Sequence, residues 1–220
     1  MHSDPKRLYD YPFSGNGYKI RLALRQLCIA FEYRVVDILQ GETRTPAFLA
    51  LNPMGQIPVL ELEDGTALRE SNAILFWLTE ATPLMPPDRL GRAQVVQWMN
   101  FEQGNIDKVL GRTRFLKRYP HVMETRQSDW DGWRATGDKA LGVLDSALCA
   151  TSFLVGEAYS AADICLYGYV HTAADGGFDL APFPAVEAWL ERVRAQPRHI
   201  SIDEFQTPRQ RVEPPEVAGP

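Results

Sequence analysis

The sequence has no apolar run approaching the roughly 18 residues that a membrane-spanning helix needs, so no such helix is expected. Its opening residues, MHSDPKRLYDY, contain no apolar core of a leader peptide, and no secretory signal is expected. Cysteine is scarce. Cys28, Cys149 and Cys165 lie far apart, with no CxxC pair and no Cys/His spacing suited to a metal. A disulfide framework and a metal centre are therefore not expected, and the odd count fits a reducing cytoplasm. Each cysteine falls within an apolar helical pattern, which predicts a small buried hydrophobe. A basic excess is also missing: 23 Lys and Arg against 28 Asp and Glu leave a net charge of −5, which argues against a nucleic-acid partner. Internal repeats are absent. What remains is ordinary for a globular protein. The chain has 220 residues, 45% hydrophobic and 23% charged, enough for one large domain or two small ones with a substantial core.

The first 80 residues and the rest differ in pattern. Residues 6–11 predict a strand, followed by a Ser/Gly/Asn turn at 14–17 and a helix over 18–28 with apolar Ile20, Leu22, Leu24 and Leu27. Residues 31–38, FEYRVVDI, are rich in aromatic and β-branched types and predict a second strand. A short helix over 45–51 stops at Asn52-Pro53. Two short strands at 57–61 and 67–69 flank Asp64-Gly65, a hairpin signal, and a helix follows over 71–80. The order β-α-β-α-β-β-α resembles a thioredoxin-like domain, assigned to residues 1–81. Residues 82–88 hold three prolines in seven and predict a linker. Residues 89–206 predict an all-α domain, with 161–170 apolar nearly all round as its central helix and an amphipathic helix over 184–194. The tail, 207–220, has four prolines and few apolar residues, and predicts a poorly ordered or surface-draped segment.

Three segments carry candidate chemistry. In Tyr11-Pro12-Phe13-Ser14-Gly15-Asn16-Gly17, a serine stands between strand and helix, where helix N–H groups favour negative charge. Ser followed by Gly and Asn is equally good helix-cap chemistry. The glycine spacing fits no phosphate loop, and no GxSxG elbow is present. In Gln56-Ile57-Pro58, a proline at the start of a strand belongs at an edge, bulge or tight turn. A cis bond there would free the Ile57 backbone to pair with an extended ligand. In Glu70-Ser71-Asn72, an acid and a hydroxyl at a strand-to-helix turn suit a zwitterionic amino-acid group, though Ser71 also reads as a plain cap.

Taken together, Ser14, Gln56-Ile57-Pro58 and Glu70-Ser71-Asn72-Ala73-Ile74, with the Pro46–Pro53 run, the proline-rich linker and the helical second half, resemble the cytosolic glutathione transferases. The resemblance covers about residues 6–200, and the first turn is similar to bacterial and serine-type, phi- or theta-like members. It implies Ser14 as the residue that activates the thiol, with Tyr11 or Asn16 as alternatives. It implies Arg44 and Gln56 at the glycyl end of glutathione, Ile57 and Pro58 at the cysteinyl backbone, and Glu70 and Ser71 at the γ-glutamyl group. Neither Ser14 nor Gly17 is Cys, which lowers the expectation of a protein–glutathione mixed disulfide.

The family resemblance further implies a homodimer that conjugates glutathione to small hydrophobic electrophiles without a metal. Tyr11 and Phe13 from the first domain, and Phe101, Phe115, Tyr119 and Tyr167 from the second, are the expected pocket residues. Trp98, Trp130 and Trp133 are expected to serve packing or interfaces. A glutathione-dependent disulfide or peroxide reductase, or a non-catalytic glutathione-binding module, are the alternatives on the same scaffold. A last match, Ser160-Ala161-Ala162-Asp163, resembles the family's capping box before the central helix; it predicts a folding role for Asp163.

Overall fold

The computed structural model describes residues 4–120 and 130–214. The chain divides into two compact units. One contains the described residues of Met1–Glu80 together with those of Pro197–Pro220, and the other is Ala81–Gln196.

The first unit is built on a five-stranded sheet of order β4-β3-β1-β2-β5. Its strands are β1 (Pro5–Asp10), β2 (Phe31–Val35), β3 (Val59–Leu62), β4 (Ala67–Leu68) and β5 (Arg209–Val212). β1 and β2 are parallel; β3 is antiparallel to β1, β4 to β3, and β5 to β2. Strand alternation gives the sheet two distinct faces. Leu8 and Asp10 point towards α1 (Gly15–Gln26), where Asp10 pairs with Arg21. Arg7 and Tyr9 point the other way, and Tyr9 meets the edge of Phe48 on α2 (Pro46–Leu51), with ring centroids 6.4 Å apart. A third helix, α3 (Ser71–Thr79), packs beside α1. The strand, helix and hairpin order therefore matches the thioredoxin-like pattern, with β2 shorter than the predicted segment and α1 beginning three residues earlier.

The tail departs from expectation. Arg209–Val212 is a strand rather than a loose segment; residues 215–220 of the predicted tail lie outside the described residues. The return of the chain is held by side chains of α1. Tyr18 Oη donates to the Ile200 carbonyl at 2.7 Å, and Arg21 Nη1 to that of Ile202 at 2.8 Å. Phe205, 2% exposed, packs against Phe31 and Tyr33 at centroid distances of 6.1 and 5.2 Å. A segment that looks too polar to fold alone is thus ordered by an aromatic anchor and by a free sheet edge.

The second unit is helical: α4 (Arg89–Phe101), a π-wound stretch (Glu102–Gly111), α5 (Arg112–Arg118), α6 (Trp130–Leu148), α7 (Ala161–Val170) and α8 (Pro184–Arg194). Asp88 caps α4 by accepting from Gly91 N at 2.9 Å. Every residue of α7 is buried, as its all-round apolar character predicts. Asp163 organises the start of α7. One carboxylate oxygen accepts from Ser160 N and Oγ (2.9 and 3.0 Å), the other from Leu154 N and Trp189 Nε1 (3.0 and 2.9 Å). The cysteines differ from expectation: Cys165 is buried, Cys28 is half-buried and Cys149 is exposed. Cys28 has left the helix, with φ +57°, in the turn that ends α1. No helix among the described residues is long and apolar enough to cross a membrane.

Candidate functional site

The tight turn from Tyr11 to Ser14, closed by Ser14 N donating to the Tyr11 carbonyl at 2.9 Å, places Ser14 at the N-cap of α1. Its Oγ accepts from Gly17 N at 3.0 Å. The hydroxyl proton is then available to a second acceptor, since a hydroxyl both donates and accepts. Capping and activation are thus compatible in one residue. Gly17 has no room for a side chain: a Cβ there would sit 1.6 Å from Asp10 Oδ1. Burial pushes the Asp10 carboxyl up to about 6, against the pull of the Arg21 charge.

The start of α3 meets the start of α1. Ser71 is buried, and its Oγ donates to Asn16 Oδ1 at 2.8 Å. Lys19 Nζ, on a side chain with no exposure, donates to the same oxygen at 2.8 Å and to Asn72 Oδ1 at 3.3 Å. With both Ser71 and Lys19 on Oδ1, the orientation of the Asn16 amide is determined: its oxygen faces inward and its NH2 group, a donor, faces away from them. Lys19 is the residue that sequence reasoning missed. It lies in the middle of an apolar helical stretch, where a lysine ordinarily extends to solvent, and only the tertiary fold shows that it turns inward.

Glu70, immediately before α3, is exposed and adopts φ +64°, ψ 112°, a conformation that non-glycine residues rarely hold. The cost of such strain, about 1–3 kcal/mol, is typical of functional positions. The Ile57–Pro58 peptide bond, whose state the sequence left open, is cis. The loop leading to it is organised by buried Asn52. Its Nδ2 donates to the Gln56 carbonyl at 2.7 Å, and its Oδ1 accepts from Met54 N at 3.1 Å. Asn52 read in the sequence only as a helix stop. Gly55, at φ +61°, faces Arg44 so closely that a Cβ would lie 2.6 Å from Nη1. Arg44 itself is exposed and donates to the Met54 carbonyl at 3.2 Å, which ties it to this loop; Gln56 is exposed beside it.

The structure therefore brings Ser14, Asn16, Ser71 and Glu70 onto the adjoining starts of α1 and α3, and puts Gln56, Ile57 and Pro58 on the loop after α2, to which Arg44, just before α2, is tied by its bond to the Met54 carbonyl. Tyr11 and Phe13 form an edge-to-face pair at 6.0 Å in the first turn. In the helical unit, Phe115 and Tyr119 pair at 4.9 Å, and Phe101 meets the edge of Trp98 at 5.4 Å. Trp98 packs, its Nε1 donating to the Leu154 carbonyl at 2.9 Å. Tyr167 is a correction: it is 1% exposed, stacked on His171 and against Trp189, and belongs to the core of its unit rather than to an open pocket.

A thioredoxin-like unit followed in the chain by a helical unit is the two-domain architecture that defines its class. Residues 8–87 match the glutathione S-transferase N-terminal domain and residues 106–197 the glutathione S-transferase C-terminal domain. The chain belongs to the glutathione S-transferase family. Among solved structures it is similar to a glutathione S-transferase from Pseudomonas fluorescens Pf-5, at 46% identity and a TM-score of 0.87, over 89% of this chain and 98% of that one. A glutathione transferase from Burkholderia graminis, with two glutathione molecules bound per subunit, is 29% identical with a TM-score of 0.77, over 87% and 84% of the chains. The disulfide-bond oxidoreductase YfcG of Escherichia coli is 31% identical over 83% of this chain and 87% of that protein.

Proposed function

We propose that the protein binds glutathione across the starts of α1 and α3 and raises its thiolate fraction for attack on small hydrophobic electrophiles. The observation that carries this is the meeting of two helix starts: Ser71 Oγ at the start of α3 donates to Asn16 Oδ1 at the start of α1, and Ser14, the N-cap of α1, accepts from Gly17 N and keeps a hydroxyl proton to donate. Helix N-termini favour anions. A free thiol titrates near 8.5, and lowering it by about two units takes roughly 2.7 kcal/mol, within reach of one charge-assisted hydrogen bond plus the helix field. The thiol proton leaves to solvent. The sulfur lone pair then forms a C–S bond as the electrophile's leaving group departs or its double bond accepts the electrons.

Glu70 binds the ammonium of the γ-glutamyl group, Ser71 and the α3 N–H groups its carboxylate, and Ile57 the cysteinyl backbone as an added strand. Arg44 and Gln56 serve the glycyl end. Tyr11 and Phe13 of the first turn contact the electrophile. The protein works as a cytoplasmic homodimer with isologous contacts; sedimentation of a species of one chain's mass, 24.8 kDa, at micromolar concentration would contradict the assembly.

The similarity to YfcG, and the two glutathiones in the Burkholderia relative, favour a second reading. Here the glutathione thiolate attacks a disulfide and releases one thiolate, and a second glutathione resolves the mixed disulfide to glutathione disulfide. Turnover of a chloronitrobenzene against a small disulfide, each with glutathione, decides between them. In either case Ser14→Ala should cut kcat by about 10²-fold and shift the thiolate titration, read by ultraviolet absorbance of bound glutathione, to higher pH. If the variant keeps the wild-type titration, Ser14 is only a cap, and the same measurement on Asn16→Ala identifies the donor.

A further inference from the structure

Lys19 lies early in α1, between Tyr18 and Ile20, and is buried over its whole length. Burying an ammonium is costly, and replacing a buried charge by an apolar side chain is often neutral or stabilising. Stability by itself therefore gives no reason for a lysine here. Its hydrogen bonds give another. Helical side chains lean towards the N-terminus, so Lys19 reaches back along α1 and donates to Asn16 Oδ1 at 2.8 Å. It also donates to Asn72 Oδ1, in the first turn of α3, at 3.3 Å. One ammonium thus joins the starts of both helices.

The chemistry of the two donors on Asn16 decides which end of its amide faces inward. Ser71 Oγ, 2.8 Å from Asn16 Oδ1, is a hydroxyl that both donates and accepts, so by itself it would bond either end of the amide. An ammonium has N–H donors and no acceptor, so it bonds the oxygen alone. Lys19 is therefore the group that forbids the reversed amide, in which an NH2 would face Nζ. With the lysine in place the oxygen is held inward and the NH2 donor is turned outward.

We infer that Lys19 is a positioning residue for thiol activation: by holding Asn16 Oδ1 it presents the Asn16 NH2 to the glutathione sulfur, as a donor alongside the Ser14 hydroxyl. This rests on the reading that glutathione binds at the starts of α1 and α3. A hydrogen bond to an ionised acceptor is about twice as strong as one to a neutral group, so a fixed NH2 favours the thiolate over the thiol. Lys19 acts only through the amide. In its absence both orientations of Asn16 are open, and the reversed one turns an oxygen towards the thiolate and disfavours it.

The thiol titration of bound glutathione, read by ultraviolet absorbance in the full chain, tests this. Lys19→Met fills similar space without donors and should raise the titration by about one unit, a tenfold change in the thiolate equilibrium. Lys19→Gln, whose amide again allows both orientations of Asn16, should raise it too. Asn16→Ala should raise it as much as Lys19→Met, and the double variant no further, because the two changes remove one shared interaction. In Lys19→Met the affinity for S-methylglutathione, which has no thiol to ionise, should stay within about threefold of wild type by calorimetry. An unchanged titration in whichever lysine variant folds, additive shifts in the double variant, or a larger loss of S-methylglutathione affinity would each overturn the inference, as would failure of both lysine variants to fold. Absence of glutathione binding in the wild type would overturn the site as well, whereas binding with an unmoved titration overturns only the role of Lys19.

Discussion

At the scale of single residues, the site combines order and strain. Glu70 is held at φ +64° between β4 and α3. Replacing it by glycine removes the side chain that would contact glutathione and relieves the backbone at once. Glu70→Gly should therefore keep or raise stability, by up to about 1 kcal/mol, while weakening glutathione binding tenfold or more. Urea unfolding and calorimetry on the same protein read both; a loss of stability above about 1 kcal/mol would show that the residue's role is structural. Lys19 works differently. Its buried ammonium holds the amides of Asn16 and Asn72 in place at the starts of α1 and α3.

At the scale of elements, two devices hold the units together internally. In the helical unit, Asp163 accepts four hydrogen bonds from groups on three segments. Asp163→Ala strands buried donors at Ser160, Leu154 and Trp189, each costing about 1–3 kcal/mol. The expected result is a loss of at least about 3 kcal/mol, read as a lower urea midpoint; a change under 1 kcal/mol, about the size of an ordinary cap, would mean the carboxylate is only a cap. In the first unit, β5 and Phe205 tie the end of the chain to α1 and β2. Phe205→Ala should destabilise this unit by about 3–5 kcal/mol. Hydrogen exchange should then show lost protection in β2 and β5, while α7 stays unchanged; uniform loss across both units would contradict the local role.

At the scale of the whole molecule, Asp10 sets a pH dependence. Its carboxyl is buried with Arg21 Nε 3.0 Å from Oδ2, and burial raises its titration to about 6. Between about pH 6 and the ordinary carboxylate range the folded chain binds a proton that the unfolded chain does not. This group's contribution therefore grows as pH falls through 6, and above 6 its burial costs the full amount. Relative to Asp10→Asn, wild type should gain stability from pH 7 to pH 4, at up to about 1.4 kcal/mol per unit. A constant difference across that range would show that Asp10 titrates normally.

Much of this was legible from the chain by itself. The helix over 184–194, the fully buried 161–170 helix and the Asp64-Gly65 hairpin follow from periodicity and turn chemistry, which are local. The Ser14 and Glu70-Ser71 turns were marked by residue type, since few residues suit a strand-to-helix junction, and Pro58 was marked as a turn or edge proline, but that its peptide bond is cis was not. Tertiary structure decided the rest, because it depended on partners far along the chain. The tail became a strand only where β2 offered an edge and Tyr18, Arg21 and Tyr33 offered anchors. Tyr167 was drawn into the core by His171 and Trp189, and Lys19 turned inward because Asn16 and Asn72 receive its protons. A charge or an aromatic ring is placed by the free energy of what surrounds it, and those surroundings exist only once the chain has folded.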